Sequence, residues 1–90
     1  MSQHYFFPPA SAYALNRCLF RLKSDAAFRA RYLADPDAAM DDLGLEADAR
    51  AALRDRARDR LVALGAHPYL VFMAELRIGM ERSSAAFEHF

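Results

Sequence analysis

Leu64-Gly-Ala-His-Pro-Tyr-Leu-Val-Phe-Met-Ala-Glu-Leu76, LGAHPYLVFMAEL, decides how this chain of 90 residues is read. Gly65 stands just past an apolar-periodic segment, where a left-handed glycine stops a helix. His67 precedes a proline and is thereby held to extended backbone. Pro68 then opens a new helix at the position where its missing N–H costs nothing. Between Ala66 and Met80 the only charged residues are Glu75 and Arg77. Tyr69, Phe72, Met73, Leu76 and Met80 fall on one stripe, and Leu70, Val71 and Ile78 point elsewhere. A helix apolar on most of its circumference calls for cover nearly all round. A domain this small has few helices to supply that cover, so part of the surface is expected to meet a partner. The helix is expected to end near Gly79.

Working outward from this stretch, every other signal is helical. Leu15, Cys18, Leu19 and Leu22 sit at i, i+3, i+4 and i+7, one buried stripe, with Ser11 as the expected cap. Ser24 or Asp25 caps a second helix, on which Phe28 and Tyr32 lie one turn apart. Asp35-Pro36 starts a short third helix that stops at Gly44, with Leu45 as the apolar residue folding back beyond the stop. Leu53, Ala57, Leu61 and Leu64 continue the pattern, with a break expected at Asp55 or Asp59. Only Val62, Val71 and Ile78 are β-branched, so no strand pattern exists. The expected fold is all-α: a single small domain of four to six short helices. Residues 12–80 form the domain, 1–11 an aromatic-rich arm and 81–90 a C-terminal tail. The ends YFFPP and FEHF are expected outside the helices, as interface anchors or folded onto the core.

Composition narrows the function. The chain is 54% hydrophobic and 27% charged, ordinary for a folded soluble protein. Twelve Lys+Arg balance twelve Asp+Glu, which argues against a nucleic-acid partner. The run Arg50–Leu61 looks basic, but Asp55 and Asp59 interrupt it and Glu46 precedes Arg50 by one turn, so it reads as a solvated helix face. The single cysteine, Cys18, cannot form an internal disulfide; the stretch MSQHYFFPPASAY does not read as a signal peptide, and no apolar run approaches the length of a membrane helix. A cytoplasmic domain with no membrane partner is expected.

No catalytic set emerges. His4, His67 and His89 lack the local spacing that converges metal ligands. Cys18 lies on the apolar stripe rather than in an electropositive opening. Asp41 and Asp42 are adjacent on a helix and do not face one another. No catalytic, cofactor-binding or metal-ligating residue is therefore assigned on this chain.

In order along the sequence stand Tyr13-Ala-Leu-Asn16, Phe28, Tyr32-Leu33-Ala34-Asp35-Pro36, Leu43-Gly44-Leu45, Leu53 and Leu64-Gly65-Ala66-His67-Pro68-Tyr69-Leu70. In this order the chain, from about Ala12 to Leu76, resembles the LigA-type small (α) subunit of protocatechuate 4,5-dioxygenase and related extradiol ring-cleavage dioxygenases. The resemblance implies an accessory subunit without cofactor of its own, the Fe(II), its ligands and the acid/base histidine residing on a large catalytic subunit. It implies that the small subunit packs over the large subunit's cleft and helps to enclose a catecholic acid. His67, Pro68, Tyr69, Phe72 and Met73 are the residues expected at the partner or the substrate cleft. A second reading, from the short flanking segments and the zero net charge, is a freestanding LigA-like module that binds a protein or peptide, forms a homodimer and serves no ring-cleaving enzyme. A self-sufficient enzyme would have to use His67 and Cys18.

Overall fold

Two helix starts in this chain come from aspartate side-chain caps, and three helix stops come from left-handed backbone geometry. In the computed structural model, which describes residues 10–88 with side chains over 12–83, six helices and no strand are found. They are α1 (Ala10–Ser24), α2 (Ala26–Ala34), α3 (Pro36–Asp42), α4 (Ala47–Arg54), α5 (Arg58–Ala63) and α6 (Pro68–Glu88). Asp25 caps α2, accepting from the Phe28 N–H at 3.0 Å while the Arg21 guanidinium donates to it at 3.1 Å. These contacts, the backbone N–H first, hold the Asp25 carboxyl below its ordinary pKa. Asp35 caps α3 through the Ala38 N–H at 3.3 Å, with Pro36 in the first turn. Ser11, expected as the cap of α1, lies within a helix that already includes Ala10, and its side chain is outside those described.

Three left-handed residues end helices: Gly44 (φ 70°), Arg56 (φ 54°) and Gly65 (φ 103°). After each, the next N–H reaches five residues back: Leu45 to Met40 O at 3.2 Å, Ala57 to Ala52 O at 3.0 Å, Ala66 to Leu61 O at 2.9 Å. That is the Schellman closure, repeated three times. The break expected at Asp55 or Asp59 is present, but neither aspartate caps the new helix. Asp55 closes α4, and the residue at the N-cap of α5 is Ala57, whose side chain can make no cap bond. The backbone turn at Arg56 makes the cap unnecessary.

The stop expected near Gly79 is absent, and α6 runs on to Glu88. A glycine stops a helix when the next residue can tuck its apolar side chain into the core. Leu45 and Ala66 do so, each 4% exposed; Met80, after Gly79, is 54% exposed and has nothing to tuck into. Residues 81–88, expected as a tail, are therefore a continuation of the helix. The arm 1–9 with His4, the Phe87 side chain and His89-Phe90 lie outside the described residues.

α1 packs on α6 and α2, α3 lies on α2, and α5 joins α4 to α6. Leu15, Cys18, Leu19 and Leu22 form the buried stripe expected of α1, met by Phe28, Tyr32, Met40, Leu53, Leu61 and Val71. Arg29 is the one buried charged residue among those described. Its guanidinium donates to the Leu22 carbonyl at 2.8 Å and to Glu81 at 3.1 Å, tying the end of α1 to α2 and α6. The α4–α5 arginines pair across elements rather than within their helix. Arg50 donates to Asp41 and the Leu45 carbonyl, both at 2.9 Å, and not to Glu46. Such exposed pairs orient surfaces more than they stabilise.

Leu19→Ala and Leu61→Ala should each lower the unfolding free energy by ~2–5 kcal/mol in urea titration, the usual cost of truncating a buried leucine. Phe20→Ala, on the same helix as Leu19 but 52% exposed, should stay close to the parent. Equal losses at Leu19 and Phe20 would show the helix to be phased differently.

Candidate functional site

The turn between α5 and α6 is built around a single asparagine. Asn16, on α1, donates from its amide nitrogen to the Gly65 carbonyl at 2.9 Å and to the Ala12 carbonyl at 3.0 Å. Its amide oxygen accepts from the His67 N–H at 2.8 Å. A side chain with both a donor and an acceptor end is required, and Asn16 uses both. Gly65 is also needed for space, since a Cβ there would lie 2.7 Å from the Ala12 Cβ. The Ala12 side chain thus packs directly against the Gly65 backbone.

From this anchored turn, His67 starts α6. Its carbonyl accepts the Val71 N–H at 3.1 Å, and its Nδ1 accepts the Tyr69 N–H at 3.1 Å. With Nδ1 accepting, the neutral ring carries its proton on Nε2. His67 is exposed, so that Nε2–H is left to donate outward. The histidine is a helix cap in this turn, and its Nε2 has no partner among the described residues.

α6 has two apolar faces. Val71 and Ala74 are buried against α1 and α5, with Leu70 and Ile78 half-buried beside them. Tyr69, Phe72, Leu76 and Met80 form the opposite row, between 44% and 54% exposed. Their i, i+3, i+7, i+11 spacing makes a continuous stripe along the helix. Of the residues singled out from the sequence, His67, Pro68, Tyr69 and Phe72 lie together at the exposed N-terminal end of α6, and Met73 is half-buried at its edge. Four large apolar side chains in one exposed row exceed the scattered apolar residues normal on a monomer.

The reactive candidates lie elsewhere. Burial pushes the Cys18 thiol up to about 12, against a smaller opposing pull from Arg21. It is a protonated core side chain, not a nucleophile. Asp41 and Asp42 each accept an arginine from another helix, Arg50 at 2.9 Å and Arg31 at 2.5 Å. No group of three or more His, Cys, Asp or Glu among the described residues is placed to hold a metal ion. The described residues therefore do not fit an iron centre. No helix among them is long and apolar enough to cross a membrane.

The sequence model of the family described as "Aromatic-ring-opening dioxygenase LigAB, LigA subunit" matches residues 15–88. The chain belongs to the LigA subunit family. Neither a curated protein nor a solved structure gives a significant match. The LigA match takes in the whole of α2 to α6 and α1 from Leu15 on, so both the α5–α6 turn with Asn16 and the exposed stripe fall inside it.

The roles of Asn16 and Arg29 are not foreseen from the sequence. The one signal for Asn16 is a poor helix former set mid-helix beside an apolar stripe, which points to a bond made off the helix. Asn16→Ala should destabilise the fold by ~2 kcal/mol or more in urea titration, since it leaves the Gly65 carbonyl and His67 N–H without their partner. Cys18 gives a second test. Its folded-state pKa lies above the ordinary 9.0, so its share of stability is complete below about pH 9 and is lost as pH rises toward about 12. Cys18→Ala should flatten the alkaline decline in melting temperature, whatever it does to the level. An unchanged slope would show that Cys18 is not the group titrating.

Proposed function

We propose that this chain is the non-catalytic small subunit of an Fe(II)-dependent extradiol dioxygenase. It docks on the large subunit through the outer row of α6 and helps to close the cleft over a catecholic acid. The single observation that carries the reading is the row Tyr69, Phe72, Leu76, Met80, exposed on a helix whose other face is already used by the core. The LigA family match supports a large dioxygenase chain as the occupant. Residues 12–80 are the docking domain in this reading, and 1–11 and 81–90 flank it.

The Fe(II) and the ring-opening chemistry belong to the large chain; this one binds, covers and positions. Tyr69 and Phe72 act as anchors, the residue types that concentrate binding energy at the centre of an interface. Pro68 and Met73 border the contact. Covering the cleft excludes water, which strengthens the electrostatic interactions inside and protects reactive intermediates. His67 presents its Nε2–H at the edge of the row, where it donates to the partner or to a substrate carboxylate.

Tagged protein should bring down a large subunit of the family, and ring cleavage should need both chains. Activity of the large chain that is indifferent to this one would refute the proposal. Phe72→Ala should weaken association by about 30-fold or more, corresponding to ≥ ~2 kcal/mol, without changing the melting temperature. His67→Gln should keep the fold, the complex and part of the turnover. Complete loss of turnover with the complex intact would make His67 a catalytic residue instead.

A further inference from the structure

A second feature lies on the inner side of α6, away from the docking row. Between α2, α4 and α6 is a cavity of about 160 Å³, walled by Tyr32, Leu53 and Ile78 and rimmed by Arg54, Arg56 and Arg82. Its apolar wall continues inward, because Tyr32, Leu53, Arg56 and Ile78 also border a smaller space of about 30 Å³.

Charge at the rim is only partly used. Arg54 donates to Asp37 at 2.6 Å, and the nearby Glu75 accepts from Arg58 at 2.7 Å. Arg56 and Arg82 have no carboxylate partner among the described residues. Tyr32 is 8% exposed, and no described residue hydrogen-bonds its hydroxyl. Burial, and after it the Cys18 thiol, raise the pKa of that hydroxyl, against smaller opposing pulls from Arg54, Arg82 and Arg56.

Arg56 adds an independent observation. It takes the left-handed backbone at φ 54°, in a stop whose two counterparts use glycine. A side chain there costs backbone energy that Gly44 and Gly65 avoid. Strain kept where glycine would remove it is a mark of a side chain with a task. No local bond accounts for it, since Arg56 makes no ion pair among the described residues.

We propose that this cavity binds a small organic carboxylate with a flat apolar body. The carboxylate sits between Arg56, Arg82 and the donating Tyr32 hydroxyl, and the body lies against Leu53 and Ile78. Two guanidinium groups and a phenol supply charge-assisted bonds suited to a planar carboxylate. Apolar walls with a few convergent polar groups are the usual make-up of a small-molecule site. The site stands independently of the large-subunit reading and involves none of the docking residues.

Titrating the full chain with sodium benzoate, benzamide and inorganic phosphate at matched ionic strength, by calorimetry and amide NMR, tests the proposal. Benzoate should saturate with shifts centred on Tyr32, Arg56 and Ile78, and both other probes should bind at least about tenfold more weakly. Tyr32→Phe and Arg82→Gln should each weaken benzoate. Arg56→Gly is the decisive variant: relief of the left-handed strain should raise Tm by ~4–8 °C while benzoate affinity falls about tenfold or more. A raised Tm with unchanged benzoate affinity would make Arg56 a plain helix stop and overturn the proposal. Benzoate that fails to saturate overturns it too, as does benzamide or phosphate binding as tightly as benzoate.

Discussion

Everything in this fold that faces outward is held by the contact of α1 with the α5–α6 turn. Gly65 lets the turn come against Ala12, and Asn16 fastens it with two hydrogen bonds spanning 49 and 51 residues of chain. The contact fixes where α6 starts and its direction of departure. Rotate that start and the rows exchange: Val71 and Ala74 leave the core and Tyr69 and Phe72 enter it. A polar bond of modest strength thus selects which of two apolar faces is spent on folding. The hydrophobic effect, which has no direction, could not make that choice by itself.

The proposed accessory role rests on the two-faced use of α6: its inner row packs in the core and its outer row stays apolar and exposed. α6 is held on its inner side by packing on α1 and α5, and Arg29 of α2, buried against the end of α1, donates to Glu81. The same inner row borders the arginine-rimmed cavity, so the helix separates two surfaces of opposite character. One side is apolar and uncharged; the other carries three guanidinium groups around an apolar recess.

Legibility in the sequence tracks the range of the interaction. Asp25, Asp35, Gly44 and Gly65 are readable as caps and stops because their partners lie within one turn. The buried stripe of α1 is readable because it repeats. Gly79 misleads because a glycine's identity carries no information on whether the core has room for its neighbour; the exposed Met80 shows that it has none. Arg56 is hidden for the opposite reason, since backbone bonds make the stop and an arginine carries no sign of left-handed geometry. Asn16 and Arg29 act across about fifty residues, and no local pattern encodes such a reach. The exposed row of α6 is foreseeable as an excess of apolar surface, while the cavity between α2, α4 and α6 is not, because its residues meet only after folding.

The pairing of the first helix with the last has a consequence for how the chain acquires its structure. Contacts of α2 with α3 and of α4 with α5 are between neighbours and close short loops; those of α1 with α6 close one of about fifty residues. On the ribosome, where the N-terminal end emerges first, the stripe of Leu15, Cys18 and Leu19 is made long before Val71 and Ala74 exist to cover it. Cooperative folding therefore waits for the helix that carries the exposed apolar row. A chain broken off before residue 68 would retain local helices but not this domain, and it would expose the adhesive side of α1 to whatever lies nearby.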